Sequence, residues 1–237
     1  MPTVILLRHG RTTANTTGIL AGRSSGVHLD EVGEQQVARA GDRLAKVPLS
    51  AVVSSPLERC VETARAVIDR QAHRPQLHRE KGIAEVDYGV WTGKELKALA
   101  KEQLWRGVQG HPAGVTFPEG ESMAGMSARS VAAVRRWDAR IEAEHGDDAV
   151  WTAVSHGDVI KAVLADALGM HLDVFQRIVV DPASISVVRY TPGRPFVAMM
   201  NTTEGDLVHL APRPKRTGRR RRTTGDAAVG GGAGPAA

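Results

Sequence analysis

Three stretches of the sequence place a cationic or imidazole side chain just after a short apolar run. Arg8 and His9 follow the first run, Arg59 lies shortly beyond the second, and His156 follows the third. A neutral imidazole is a good nucleophile near neutral pH, and a guanidinium can bind two oxygens of one phosphate. Two imidazoles and two guanidiniums brought together would therefore suit the binding and transfer of a dianionic phosphate.

Each of these residues also has an ordinary structural interpretation. A His-Gly pair after a strand is commonly a turn, an arginine near a helix start is commonly solvated, and Ser55 has the side chain of a helix cap. The interpretation as a site depends on the whole set, because two His-Gly pairs that both follow apolar strands are rare by chance.

The apolar pattern predicts alternating strands and helices that would bring these side chains together. Strands are predicted at residues 3–7, 50–54, 149–155, 185–190 and 196–200. Helices are predicted at residues 29–46, from Pro56 onward, at 122–144, and after His156 up to Gly169. Such alternation indicates an α/β sandwich with a mostly parallel sheet. Ligands bind such sheets at the carboxyl ends of the strands, where these side chains fall.

Length, cysteine content and hydropathy narrow the class of protein. The 237 residues fit one domain with a tail, and the single cysteine, Cys60, excludes a disulfide framework within the chain. No apolar run reaches the roughly 18 residues of a membrane helix, and the N-terminus lacks a secretory pattern. We therefore expect a cytoplasmic protein that does not contact a membrane.

The basic charge of the sequence is concentrated at its end. Seven basic residues and one acidic residue fall within 211–237, whereas 24 basic and 25 acidic residues precede them. We predict a folded domain over 1–210 and a disordered tail over 211–237, first basic and then rich in Gly and Ala. A nucleic-acid partner is disfavoured because the folded part carries no basic stripe, which leaves weak contact through the tail as the alternative.

Five motifs follow one another in a fixed order along the chain. The first is Arg8-His9-Gly10 with Thr12 and Asn15, of the form RHGxTxxN. The others are Gly22 with Leu29, Gly33 and Gln36; Ser54-Ser55-Pro56-Leu57 with Arg59, Thr63 and Ala64; Ile83-Ala84-Glu85 with Gly89, Trp91 and Gly93; and Val154-Ser155-His156-Gly157. With these motifs the sequence resembles the histidine phosphatase superfamily, also called the phosphoglycerate mutase-like family, over residues 3–210.

The resemblance implies a phosphoglycerate mutase-like fold, a three-layer sandwich whose mostly parallel central sheet has helices on both faces. It implies that His9 is the nucleophile, which becomes a phosphohistidine, and that Glu85 is the general acid and base. Arg8, Arg59 and His156 would hold the phosphate. The remaining phosphate-binding residues that it implies are Asn15, Gly22 and Gly157. It implies no metal and no other cofactor.

Further residues bear on the substrate. Arg11, Arg23 and Lys161 favour a substrate with a second anionic group. Residues 91–121 are expected to cover the pocket, with Trp105 and Phe117 in its lining. Lesser candidates for acid–base or substrate contact are Glu95, Glu119 and Glu121.

The leading hypothesis is hydrolysis of the phosphate monoester of a small metabolite, by a monomer or a homodimer. The alternative is a cofactor-dependent phosphomutase of the phosphoglycerate mutase type, which returns the phosphoryl group to a bound hydroxyl. Mutases of the family carry longer insertions with basic residues between the acid and the late His-Gly pair. Only 70 residues separate Glu85 from His156, which favours the phosphatase. Two remote alternatives stay open: a non-catalytic sensor of a phosphorylated ligand, and a nucleic-acid tether that acts through the tail.

Overall fold

A computed structural model describes residues 1–211 of the chain. Its strands are β1 (Thr3–Arg8), β2 (Ala51–Ser54), β3 (Gln76–Arg79), β4 (Val150–Ser155), β5 (Ile185–Tyr190) and β6 (Pro195–Thr202). These six strands of the described range form one sheet in the order β3-β2-β4-β1-β5-β6. The first four strands are parallel to one another, β5 is antiparallel to β1, and β6 is antiparallel to β5. The predicted mostly parallel sheet is therefore confirmed, while the predicted tail falls, from residue 212 onward, outside the described residues.

Helices cover both faces of the sheet. They are α1 (Thr13–Thr17), α2 (Glu31–Leu44), α3 (Glu58–Ile68), α4 (Leu96–Leu99), α5 (Gln103–Gly110), α6 (Met123–His145) and α7 (Gly157–Ala167). Short 3₁₀ helices lie at Lys81–Ile83, Gly89–Trp91, Pro112–Gly114, Leu172–Arg177 and Val208–Leu210. The apolar sides of α2 and α3 pack on one face and those of α6 and α7 on the other, which confirms the three layers. None of the helices between residues 1 and 211 is long and apolar enough to cross a membrane.

The central strand β1 shows why the sheet lies between two cores. Its residues are apolar without interruption, and successive side chains of a strand point to opposite faces. Val4 and Leu6 join the core beneath α6 and α7, whereas Ile5 and Leu7 join the core beneath α2 and α3. All four are at most 1% exposed, so the strand that leads to His9 is held from both sides.

The structure differs from the prediction at one helix start and at one strand. The helix predicted from Pro56 starts at Glu58, because Leu57 has an extended backbone at the cap position. Strand β3 was not predicted, since its sequence is polar and its residues are exposed or half-buried at the edge of the sheet. Apolar periodicity detects buried elements and misses such edges.

Glycine lets the loop after β1 pack directly against the first turn of α2. A Cβ on Gly33 would lie 2.0 Å from the carbonyl oxygen of Arg11, and one on Gly10 would lie 2.7 Å from the carbonyl oxygen of Gly33. The amide of Asp30 donates to that Arg11 oxygen over 3.1 Å, and the side chain of Asp30 caps α2 by accepting from the Gly33 amide. The close approach fixes the loop that carries His9.

A methyl group at this contact is therefore expected to push α2 away from the loop. We expect Gly33→Ala to lower the free energy of unfolding by about 1–3 kcal/mol, as overpacking against backbone does. The melting temperature measures the loss. The matched control is Gly110→Ala at the end of α5, where a Cβ meets nothing within 4 Å. Equal melting temperatures for the two variants would contradict the packing argument.

Candidate active site

His9 lies immediately beyond β1 and is held in one tautomer. Its Nδ1 lies 2.7 Å from the carbonyl oxygen of Gly10, which can only accept, so Nδ1 carries the proton. Its Nε2 accepts from Nε of Arg59 over 3.3 Å, and a guanidinium can only donate. The lone pair of Nε2 therefore faces the guanidinium of Arg59, and both residues line the same cavity.

The electrostatic surroundings keep His9 neutral. Burial, followed by the positive charges of Arg59 and Arg8, holds its pKa well below the usual value of 6.5, against a smaller opposing effect of the Gly10 carbonyl. A neutral imidazole keeps the lone pair that nucleophilic attack requires.

His156 lies beside His9, because β4 and β1 are parallel neighbours and each histidine follows its strand. The two ring centroids are 5.2 Å apart. Nη2 of Arg59 donates to Nδ1 of His156 over 3.3 Å, so Nε2 carries the proton and donates to Oγ of Ser55 over 2.8 Å. Burial and the charge of Arg59 hold the pKa of His156 well below its usual value as well. Ser55 thus orients His156, and its hydroxyl also accepts from the amide of Leu57 over 3.4 Å just before α3.

Arg59 is buried and Arg8 is half-buried, and each has a buried donor without a partner. Arg8 donates from Nη1 to the carbonyl oxygen of Val180 over 2.7 Å, and Arg59 donates from Nη2 to that of Gly22 over 2.8 Å. Nε of Arg8 and Nη1 of Arg59 are buried and have no hydrogen-bond partner within residues 1–211. Both arginines line one cavity together with His9. Buried donors without partners are rare and costly, so their presence here indicates an anion-binding site.

Glu85 places a carboxyl group next to these cations. Its Oε1 accepts from the amide of Val86 over 3.0 Å, and its Oε2 lies 3.7 Å from Nδ1 of His156. Burial, reinforced by the negative charge of Asp158, raises the pKa of Glu85 to about 7, against the lowering effect of Arg59. A carboxyl group with such a pKa can both give and take a proton near neutral pH.

Arg129 of α6 holds the loop that carries Glu85. It donates to the carbonyl oxygens of Gly82, Ala84 and Glu85 over 2.8–3.0 Å and to both carboxylate oxygens of Glu121. Glu121 is therefore a structural partner of this loop, and neither it nor Glu95 nor Glu119 lines the cavity. Sequence reasoning missed Arg129, because no local pattern marks a side chain that binds backbone 44 to 47 residues away.

The cavity has a volume of about 230 Å³. Its lining includes every residue that the resemblance implied for catalysis or phosphate binding except His156, which is wholly buried and contacts Arg59. The residues that line it are Arg8, His9, Thr12, Ala14, Asn15, Ile19, Leu20, Ala21, Gly22, Arg59, Glu85, Tyr88, Leu96, Gly157, Asp158, Lys161 and Val180. The amide oxygen of Asn15 accepts from the backbone amide of Thr12 in the α1 cap. Its Nδ2 is therefore the group that can donate to a ligand.

Two expectations about the pocket are wrong. Trp105 and Phe117 do not line it: Phe117 is 1% exposed and packs edge-to-face on Tyr88 and Trp91, and Trp105 stacks on Trp91. Of residues 91–121, Leu96 lines the cavity. Phe117 lies in the core and Trp105 is half-buried against it, because burial of an aromatic ring contributes more there than at a polar pocket.

Two of the three cations nominated for a second anion also lie elsewhere. Arg11 pairs with Asp30 at 2.8 Å, and Arg23 pairs with Glu121 at 2.9 Å and donates to the Glu85 carbonyl. Neither lines the cavity, whereas Lys161 does.

Residues 1–211 contain no cluster of side chains that could bind a metal ion. Among residues 1–211, no group of three His, Cys, Asp or Glu side chains is placed to hold a metal ion. Cys60 is buried against His156, and burial raises the pKa of its thiol to about 12, so it is a thiol rather than a thiolate near neutral pH.

Comparison with known proteins identifies relatives. The model of the histidine phosphatase superfamily (branch 1) matches residues 4–203. The chain is 31% identical over 212 residues to a "Probable phosphoglycerate mutase" of Proteus mirabilis, covering 87% of this chain and 94% of that protein. It is 29% identical over 206 residues to phosphoserine phosphatase 1 of Hydrogenobacter thermophilus, covering 86% and 93%. A solved structure from Bacillus stearothermophilus, YhfR, superposes with a TM-score of 0.76 at 25% identity, over 89% of this chain and all of that one.

The raised pKa of Glu85 has a consequence for stability. Between pH 4.5, the ordinary value, and about 7, the folded protein keeps a proton that the unfolded chain has released. The stability of the wild type therefore falls as the pH rises through this window. We expect Glu85→Gln, which is neutral at every pH, to match the wild type near pH 4 and to exceed it by up to about 3 kcal/mol at pH 8.

Denaturant unfolding at the two pH values measures this difference. The matched control is Glu119→Gln, which changes an exposed carboxylate on a nearby loop and is expected to show no such pH-dependent gain. A Glu85→Gln variant less stable than the wild type at pH 8 would mean that the carboxylate is the favoured form in the folded protein.

Proposed function

The chain belongs to the histidine phosphatase superfamily, and on that basis we propose that it hydrolyses phosphate monoesters through a covalent phosphohistidine on His9. One observation carries the proposal. Unpartnered buried donors of Arg8 and Arg59 line the same cavity as a neutral His9 and a Glu85 whose pKa is raised. Anion binding, a nucleophile and a proton donor are the three parts that phosphoryl transfer to a side chain needs.

In the first step, Nε2 of His9 attacks phosphorus and the bond to the ester oxygen breaks. Glu85, in its acid form, gives its proton to the leaving oxygen, so an alcohol departs. The imidazole ring becomes positive as the phosphorus–nitrogen bond forms, and the Gly10 carbonyl, 2.7 Å from Nδ1, stabilises that charge. Arg8 and Arg59 neutralise the charge on the phosphoryl oxygens, which is the main demand of this transition state.

In the second step, Glu85 is a carboxylate and takes a proton from a water molecule. The water oxygen attacks phosphorus, the phosphorus–nitrogen bond breaks, and Nε2 of His9 recovers its lone pair. Inorganic phosphate leaves, and Glu85 is again an acid. A pKa near 7 suits a group that must act in both directions at neutral pH.

The walls of the cavity favour hydrolysis over a phosphomutase reaction. A mutase must hold a second anionic group while the phosphoryl group is returned to a hydroxyl. Of the residues between Glu85 and Gly157, Tyr88 and Leu96 line the cavity, and neither is basic. We infer a small phosphorylated metabolite as substrate, a reaction that needs no metal ion, and a catalytic domain that ends near Leu210.

Glu85 as proton donor predicts an effect that depends on the leaving group. We expect Glu85→Gln to lower kcat/KM about 100- to 10,000-fold for an alkyl phosphate, whose alkoxide leaves poorly without a proton. The loss for p-nitrophenyl phosphate is expected to be much smaller, because its phenolate leaves well unaided. For the wild type, kcat/KM on the alkyl ester is expected to fall as the pH rises above about 7, where Glu85 loses its proton. Equal losses on both esters would exclude Glu85 as the acid.

The covalent step is tested by trapping the enzyme with a radiolabelled phosphate monoester. We expect an acid-labile, base-stable label in the wild type, and neither label nor turnover in His9→Ala, with kcat reduced at least about a thousandfold. The control His209→Ala changes an exposed histidine outside the cavity and should keep both. Phosphate release that resists EDTA is expected. Activity only in the presence of added bisphosphoglycerate would instead identify a mutase.

A further inference from the structure

Asp158 is an unexpected residue in the wall of an anion-binding cavity. It lies in the first turn of α7, directly after Gly157, and its side chain is 21% exposed. An acidic residue in the first turn of a helix is common because it complements the helix dipole. Here, however, the carboxylate of Asp158 lines the cavity, and each of its oxygens has a partner among the other residues of the cavity wall. An interaction with the helix dipole requires no such partners.

Asp158 is held between Tyr88 and Lys161. Its Oδ2 accepts from the hydroxyl of Tyr88 over 3.0 Å, and its Oδ1 lies 3.6 Å from Nζ of Lys161. Tyr88 is 6% exposed and packs on Phe117, so this hydroxyl is fixed in place by the core. The carboxylate therefore has a defined position in the wall.

Lys161 is fully engaged by its neighbours. Its Nζ donates to Oε1 of Gln176 over 2.9 Å, pairs with Asp158, and lies 5.8 Å from the ring centroid of Phe175. The lysine was nominated from the sequence as a contact for a second anion of the substrate. Its pairing with Asp158 cancels the charge that such an anion would need.

Among residues 1–211, the rest of the cavity wall offers no other cation. Arg8 and Arg59 are the groups that face the phosphate, and within the lining Lys161 is the remaining basic side chain. The wall also includes the apolar residues Ala14, Ile19, Leu20, Ala21, Leu96 and Val180. A phosphate monoester that carries a second anion would bring that anion to a carboxylate and an apolar surface.

We propose that Asp158, paired with Lys161, determines specificity by excluding a second anionic group, so that the substrates are phosphate monoesters of uncharged alcohols. The inference rests on the proposed hydrolysis and adds the substrate class to it. Asp158 acts by occupying Lys161, so that this lysine is not free to offset the cost of bringing a second anion into a partly buried site.

Two substrates that differ in one group isolate this effect. sn-Glycerol 3-phosphate and 3-phosphoglycerate share the phosphate ester and a hydroxyl, and differ in a hydroxymethyl group against a carboxylate. We expect the wild type to favour glycerol 3-phosphate in kcat/KM by about tenfold or more. Asp158→Asn keeps the size of the side chain and an acceptor for Tyr88, and is expected to remove that preference or reverse it.

The ratio of the two substrates separates specificity from catalysis. Asp158 also raises the pKa of Glu85, so its replacement changes the rates with both esters, and this shared change cancels in the ratio. The gain for 3-phosphoglycerate should depend on the freed lysine. We therefore expect Asp158→Asn combined with Lys161→Met to lose it. A merely structural role of Asp158 would lower both rates and leave the ratio unchanged.

Two further measurements keep failure of the inference distinct from failure of the proposed function. Turnover of p-nitrophenyl phosphate reports hydrolysis independently of a second anion. Calorimetry on His9→Ala, with and without Asp158→Asn, compares the Kd of the two ligands and needs no turnover. Hydrolysis of the aryl ester with equal kcat/KM for the two natural esters, or an unchanged ratio in Asp158→Asn, would overturn the inference alone. If no ester is hydrolysed, the hydrolytic function fails, and equal Kd values in calorimetry would then overturn the specificity as well.

Discussion

The burial of donors of Arg8 and Arg59 at one cavity, without a carboxylate of residues 1–211 bonded to either guanidinium, is the constraint on which the site depends. Removing a cation from water is expensive unless its donors are satisfied. The carbonyl oxygens of Val180 and Gly22 satisfy one donor of each, and one buried donor of each is left for an anion. Burial and then these two charges keep His9 neutral, because a third cation next to them would be repelled. The neutral imidazole and the unpartnered donors thus follow from one arrangement of buried charge.

The sheet supplies the positions that this arrangement requires. Strands β2, β4 and β1 are adjacent and parallel, so the residues that follow them meet at one edge. Backbone hydrogen bonds continue beyond the strands: the amide of His9 donates to Ser155, and that of Ser55 donates to Val154. These bonds extend the register of the sheet into the catalytic loops, which is why side chains about 50 and 100 residues apart meet within hydrogen-bonding distance.

The sequence allowed the scaffold and the centre of the site to be predicted, for a physical reason. His9 and His156 follow strands whose burial on both faces leaves a continuous apolar signal, and that signal is local. The roles of Arg129, Ser55 and Asp158 depend instead on side chains that approach from other elements. Trp105 and Phe117 also show that sequence alone does not give the direction of a side chain. Their position in the chain next to the pocket was visible, but the direction in which tertiary packing turns them was not.

Asp158 connects the chemistry of the site to its specificity. Its charge favours the acid form of Glu85, which the departure of an alcohol requires, and it also faces the part of the cavity where the rest of the substrate must lie. Loss of the carboxylate would free Lys161 for a second anion, but the pKa of Glu85 would fall at the same time. Efficient turnover of an anionic substrate would therefore need another means of keeping Glu85 protonated. The apolar burial of Glu85, which is the larger cause of its raised pKa, is the part of that environment which would persist.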